Sequence, residues 1–145
     1  MTRIIAGEAR GRTIKVPAEG TRPTADRTRE GLFSSLTARW GFAGSSVLDL
    51  FAGSGALGLE AASRGADEAV LVESSADAVK IIRHNMGVVK HPGVRVQEMK
   101  VGTYLASAPR KHFDLVLADP PYAFDEVDEL IAAIEPVLTD RAMVV

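Results

Sequence analysis

The sequence predicts a doubly wound α/β fold, a mainly parallel sheet with helices on both faces, and three observations carry that prediction. Apolar runs of strand length alternate with helical patterns along the chain. One run, Val47 to Ala52, is broken only by Asp49 and passes directly into Gly53-Ser54-Gly55 and a helical segment. Another, Phe113 to Ala118, is apolar enough to lie centrally in a parallel sheet and ends in Asp119-Pro120-Pro121-Tyr122.

Each element follows from its local pattern. Arg3 to Gly7 and Arg12 to Val16 alternate basic and apolar residues around Gly7 and Gly11, which reads as a small hairpin. Pro17 to Pro23 is a loop, and Thr24 or Asp26 can cap a helix to Trp40 with Leu32, Phe33, Leu36 and Trp40 on one face. Residues 41–46 link it to the strand Val47 to Ala52, and Ala56 to Arg64 is the next helix, with Gly65 as its stop. Glu68 to Glu73 is a second strand. Ser74 or Ser75 then caps a helix through Met86, with Ala78, Val79, Ile82 and Met86 inward. Val94 to Glu98 is a third strand, residues 102–108 a brief helix or turn, and Phe113 to Ala118 the fourth strand. Asp125 to Leu138 is the next helix, and Ala142 begins a fifth strand.

Composition bounds the classes. At 145 residues, 46% hydrophobic and 25% charged, the chain fits one ordinary globular domain. The absence of cysteine excludes disulfides and thiolate metal sites, and His84, His91 and His112 lack ligand spacing, so no metal is expected. Nothing resembles a signal peptide and no apolar run is long enough to span a bilayer, so a cytoplasmic monomer away from membranes is expected. Residues 1–40 carry eight basic and four acidic residues, a net of +4, against −6 for residues 41–145 (nine and fifteen). A basic arm on an acidic body points to an anionic partner such as nucleic acid; the plain alternative is an Arg-rich solvated surface. The two regions, 1–40 and 41–145, are read as arm and core of one domain.

The glycine stretch is the first candidate site. Gly53, Gly55 and Gly58 satisfy G-x-G-x-x-G, and a strand, glycine turn and helix N-terminus offer free N–H groups to an anion or carboxylate. Alone the motif is weak, because such a turn also needs glycine for packing. Asp49 shifts the reading: a carboxylate inside an apolar strand is costly unless used, and it would repel a pyrophosphate. S-adenosylmethionine (SAM), with an ammonium, a sulfonium and one carboxylate, suits an acid there. Glu73 ends the next strand twenty positions after Gly53, where an acid can accept hydrogen bonds from ribose hydroxyls; otherwise it is a solvated strand end.

Asp119-Pro120-Pro121-Tyr122 carries the chemistry. The prolines force an extended backbone and remove two N–H donors, leaving carbonyls to face a ligand. A carboxylate and a carbonyl are acceptors for an NH₂ group, whose lone pair they can direct at a methyl donor. Tyr122 offers a flat face for a target base and Phe124 a second one. The plain alternative is a strand-terminating turn.

Val47–Gly58 together with Asp119–Tyr122 resembles the class I SAM-dependent amino-methyltransferases. Arg3-Ile4-Ile5-Ala6-Gly7, Gly11-Arg12, Thr21-Arg22-Pro23-Thr24, Asp26 to Glu30 and Leu32-Phe33 narrow the likeness to the RsmD-type small-subunit ribosomal RNA guanine-N2 methyltransferases. The resemblance covers nearly the whole chain. It implies a Rossmann-like fold, SAM as cofactor, and a guanine in 16S rRNA as target, presented on an assembled or partly assembled small subunit. By motif position, Asp49, Phe51, Gly53, Ser54, Gly55, Glu73 and Ser74 would bind SAM. Asp119, Pro120, Pro121 and Tyr122 would hold the guanine, and Arg10, Arg12, Arg22, Arg27, Arg29 and Phe124 would contact RNA, with Arg22 and Thr24 also able to close over the cofactor. Arg10, Arg12, Arg27 and Arg29 would form one patch beside the Asp119 loop.

Two departures stand out. Lys100 falls where relatives often place an acid for the adenine amine, so backbone groups near Met99–Val101 would have to replace it. The fold also normally continues past the fifth strand with a helix and an antiparallel hairpin, so the core is expected to lack its last strands. Competing readings are a DNA or RNA adenine-N6 methyltransferase, disfavoured by the arm and the lack of room for a target-recognition domain, and a non-catalytic nucleotide-binding or ribosome-assembly protein, which would not need the Asp119 loop. An NAD-dependent dehydrogenase is disfavoured by Asp49.

Overall fold

Period-two alternation of apolar side chains in the strands builds two apolar layers, one on each face of the sheet. The computed structural model describes residues 2–16, 26–39, 41–120 and 127–144. Five strands, β3 (Ser46–Leu50), β4 (Glu68–Glu73), β5 (Val94–Glu98), β6 (Phe113–Ala118) and β7 (Leu138–Val144), form a wholly parallel sheet ordered β5-β4-β3-β6-β7. The motif-bearing β3 is thus central, with β4 and β6 as its neighbours. Val47, Ala69, Leu71 and Leu115 face one way, and Leu48, Leu50, Val70 and Val116 the other.

The first face is covered by α1 (Asp26–Arg39), α2 (Ala56–Ser63) and α3 (Ala76–Val89). The second is covered by α4 (Val101–Ser107) and α5 (Val127–Ile134). The N-terminal residues pair as a short antiparallel hairpin, β1 (Thr2–Arg3) with β2 (Thr13–Ile14), in register Thr2↔Ile14. Its Ile4, Ala9 and Ile14 are buried in the same core as Phe33, Leu36 and Leu59. Gly7 (φ 87) touches α2 so closely that a Cβ there would lie 1.8 Å from Ser63 O. The fold is therefore the expected Rossmann-like one.

Some boundaries differ from the sequence reading. α3 runs past Met86 to Val89, because Lys90 adopts the left-handed conformation that ends a helix (φ 56, ψ 40). α5 stops at Ile134 and a 3₁₀ turn, Glu135–Val137, replaces its expected last turn, since Pro136 supplies no N–H. The strand β7 then starts at Leu138, four residues before the expected Ala142, with a register irregularity against β6 between Phe113 and Leu115. Among the described residues no helix is long and apolar enough to cross a membrane, and no cluster of groups could hold a metal ion.

Candidate active site

The turn after β3 is pinned from three sides. Phe51 takes φ 58, a left-handed conformation rare for a residue with a Cβ, and Gly53 and Gly55 follow at φ 60 and 82. Gly55 caps α2 and donates its N–H to Ala52 O at 2.8 Å. From β4, Glu73 Oε1 accepts the Gly53 N–H at 2.8 Å while its Oε2 accepts the Ser75 N–H at 2.9 Å. From α3, the fully buried Asn85 donates to Ser54 O at 2.9 Å and to Lys15 O at 2.8 Å, and accepts the Lys15 N–H at 2.8 Å. Both amide hydrogens and the amide oxygen are thereby used, which is why a polar group can sit there.

Asp49 lies under this turn. Its Oδ2 accepts the Gly58 N–H at 2.9 Å, and a Cβ on Gly58 would come within 3.1 Å of that oxygen. Its Oδ1 is buried and has no partner among the described residues. Burial pushes the Asp49 carboxyl up to about 7, aided by the charges of Asp119 and Glu73 and opposed by the Gly58 hydrogen bond. Asp119 follows Ala118 of β6, which is registered with Leu50, so Asp49, Glu73 and Asp119 occupy neighbouring C-terminal strand ends. A cavity of about 680 Å³ opens beside Glu73, walled by Phe51, Glu73, Ser74, Lys100, Gly102 and, from α5, Leu130, while Asp49 and Asp119 are not among its walls. That volume suits a nucleoside-sized ligand. Lys100 itself is exposed and caps α4, so the groups beside it in the wall are those of Val101 and Gly102.

The predicted residues therefore divide. Asp49, Phe51, Gly53, Ser54, Gly55, Glu73, Ser74, Asp119 and Pro120 all lie at or next to these strand ends. Pro121, Tyr122, Phe124, Arg22, Thr24 and the side chain of Arg27 lie outside the described residues. Arg29 is corrected: it is buried, 2% exposed, and its Nη2 donates to Thr2 Oγ1 and Arg3 O at 3.1 and 2.6 Å, so it serves the hairpin rather than an RNA surface. The expected patch of four arginines therefore loses Arg29. Arg12 donates from Nη1 to Val88 O and Val89 O, both at 3.1 Å, at the C-terminal end of α3. A fourteen-residue helix is ~21 Å long, so Arg12 sits nearly that far along α3 from its start at Ser75–Ala76. Arg10 is exposed near it on the hairpin, where its N–H bonds Gly7 O at 3.2 Å.

Sequence reasoning missed the polar residues that dock the hairpin. Glu60, fully buried in α2, accepts the Ile5 and Ala6 N–H groups at 2.8 and 3.1 Å and pairs with Arg64 at 2.8 Å. Ser63 Oγ donates to Ala6 O at 2.6 Å and accepts the Ala9 N–H at 2.9 Å. A signal existed: Glu60 interrupts the apolar run Leu57 to Ala62, and Asn85 falls three residues after inward-facing Ile82.

Comparison with known proteins places the chain in a family. Residues 2–145 match the family described as conserved hypothetical protein 95. Ribosomal RNA small subunit methyltransferase D of Escherichia coli K12 is 39% identical over 145 residues, covering 98% of this chain and 72% of that protein. The protein of the same name from Haemophilus influenzae is 36% identical, covering 90% of this chain and 68% of its own length. The solved structure of Escherichia coli yhhF superposes with a TM-score of 0.84 at 36% identity, covering 98% of this chain and 77% of that one. The chain therefore belongs to the conserved hypothetical protein 95 family, and it is similar in sequence to the ribosomal RNA small subunit methyltransferases D.

Proposed function

We propose that this protein is a SAM-dependent rRNA methyltransferase that modifies the exocyclic N2 amine of a guanine in the small-subunit RNA, within an assembled or partly assembled subunit. The observation that carries the reading is the grouping of Asp49, Glu73 and Asp119 at adjacent strand ends around a glycine turn, with one Asp49 oxygen buried and without a partner among the described residues. Three carboxylates suit a ligand that brings cationic and hydroxyl groups and disfavour a pyrophosphate, so the donor set fits SAM. The likeness to ribosomal RNA small subunit methyltransferases D supports the RNA substrate.

In this reading SAM, when bound, supplies a sulfonium methyl group open to attack by a nitrogen lone pair. Glu73 turns its remaining lone pairs to ribose hydroxyls, and the glycine turn and Asp49 hold the amino-acid end. Asp119, with the carbonyls of the proline pair, accepts the two amine hydrogens of the guanine and so orients its lone pair. Rate enhancement comes from positioning and from the fixed acceptors. Tyr122 and Phe124 stack the base, residues 1–40 contribute RNA contacts, and residues 41–145 hold the cofactor.

The test is methyl transfer from labelled SAM to naked rRNA, small subunits and DNA. Label entering ribosomal RNA supports the proposal. Label entering only DNA, or no transfer to any substrate, overturns it.

A further inference from the structure

The core outside the arm is acidic, but its charge is not evenly spread. Residues 78–97 contain Lys80, Arg83, Lys90 and Arg95, with His84 and His91, and no Asp or Glu. The rest of residues 41–145 holds five basic and fifteen acidic residues, a net of −10. In the structure Val79, Ile82, Asn85 and Val89 of α3 are buried, whereas Lys80, Arg83, His84 and Gly87, with the capping Lys90, are exposed. The helical period thus gathers the cations on one solvent face, where Asp77 in the first turn is the only acid of α3. Gly87 adds no bulk there: a Cβ at that point would meet nothing within 4 Å. Arg95 is set apart, since it pairs with Glu68 at 3.3 Å.

The hairpin extends this face. Arg12, an exposed residue, is held against the last carbonyls of α3, which lack partners within the helix. Lys15, exposed as well, is held by its backbone to Asn85 of the same helix. We propose that the α3 face of Lys80, Arg83 and Lys90, bordered by Arg12 and Lys15, docks the phosphate backbone of the RNA substrate. This deepens the RNA-modifying reading above and rests on it. From Lys80 to Lys90 the face extends ~15 Å. It begins beside Glu73 at the cofactor end and runs away from it, so nucleotides flanking the target lie along it. The surrounding acidic surface repels phosphate and steers the strand onto the basic face.

The test uses Lys80→Ala, Arg83→Ala and Lys90→Asn combined, with asparagine at position 90 because that residue has φ 56. The control is Arg110→Ala with Lys111→Asn, two exposed cations just before β6. Binding of a small-subunit rRNA fragment is measured across a salt series with S-adenosylhomocysteine present. The triple variant is expected to bind at least ~10-fold more weakly at low salt, with the slope of log affinity against log salt reduced by about 2–3. Its melting temperature and S-adenosylhomocysteine affinity stay unchanged, and the control keeps the wild-type slope. A triple variant with wild-type slope and affinity overturns this docking surface while leaving the RNA reading intact, and so does a control that loses as much slope. Wild-type protein with no salt-dependent RNA binding overturns the RNA reading and this surface together.

Discussion

Glu73 Oε1 accepts the Gly53 N–H at 2.8 Å, so the acid that ends β4 fixes the turn that ends β3. The same carboxylate faces the cavity. Glu73→Ala removes both the turn contact and the proposed ribose acceptor, and is expected to weaken SAM binding by about 1–3 kcal/mol. Glu73→Gln keeps an acceptor for Gly53 and should fall between. Calorimetry checks both, and unchanged affinity in a folded Ala variant would remove Glu73 from the site.

Asn85 tests whether the hairpin and the glycine turn are held together. Asn85→Ala strands the Lys15 N–H, the Lys15 carbonyl and the Ser54 carbonyl, at an expected cost of about 1–3 kcal/mol in stability. Trypsin cuts after Lys15 only when that carbonyl is released, so cleavage at Lys15–Val16 should accelerate more than cleavage at exposed Lys80. Equal acceleration at both sites would mean general unfolding rather than a specific tie.

Asp49 predicts a pH effect with a definite sign. Its carboxyl is raised from 3.8 to about 7 in the folded protein, so the native state binds the extra proton. Its stabilising effect is complete below pH 3.8 and is lost as pH rises through 7. Between about pH 5 and 8 the free protein should therefore lose on the order of 2 kcal/mol relative to Asp49→Asn. A cationic ligand favours the ionised form, so SAM binding at neutral pH should release a proton in wild type and not in Asp49→Asn. Calorimetry in buffers of different ionisation enthalpy reads this, and equal proton release would detach Asp49 from the ligand.

Gly7 tests the hairpin's seat. It has φ 87, and a Cβ would meet Ser63 O at 1.8 Å. Gly7→Ala must displace the hairpin from α2, with an expected loss of about 1–3 kcal/mol or more. Gly11 has a similar φ of 84 but open space around it, so Gly11→Ala should cost less. Thermal denaturation of the pair checks the order.

The strands were legible because parallel-sheet strands buried on both faces are nearly continuous apolar runs, as in Val47–Leu50 and Phe113–Ala118, each interrupted by a single aspartate. The carboxylates at their ends were legible for the complementary reason, as acids that an apolar strand does not need. Arg29 was misread because an arginine near a helix start looks solvent-facing, and only the fold brings the Thr2 hydroxyl and Arg3 carbonyl to it. The basic face of α3 is not legible in the net charge of the core, where fifteen acids hide Lys80, Arg83 and Lys90. The end of α5 was missed by reading Leu138 as helical when Pro136 had already broken the pattern.

The most direct measurement is the identity of the methylated nucleoside. Small ribosomal subunits that lack the modification are incubated with deuteromethyl-labelled SAM and either wild type or Asp119→Ala, and the RNA is digested for mass spectrometry. Wild type is expected to yield labelled N2-methylguanosine, and Asp119→Ala to lose a large part of the rate at nearly unchanged SAM affinity. Label in N6-methyladenosine, or N2-methylguanosine formed at the wild-type rate by the variant, would contradict the proposed function.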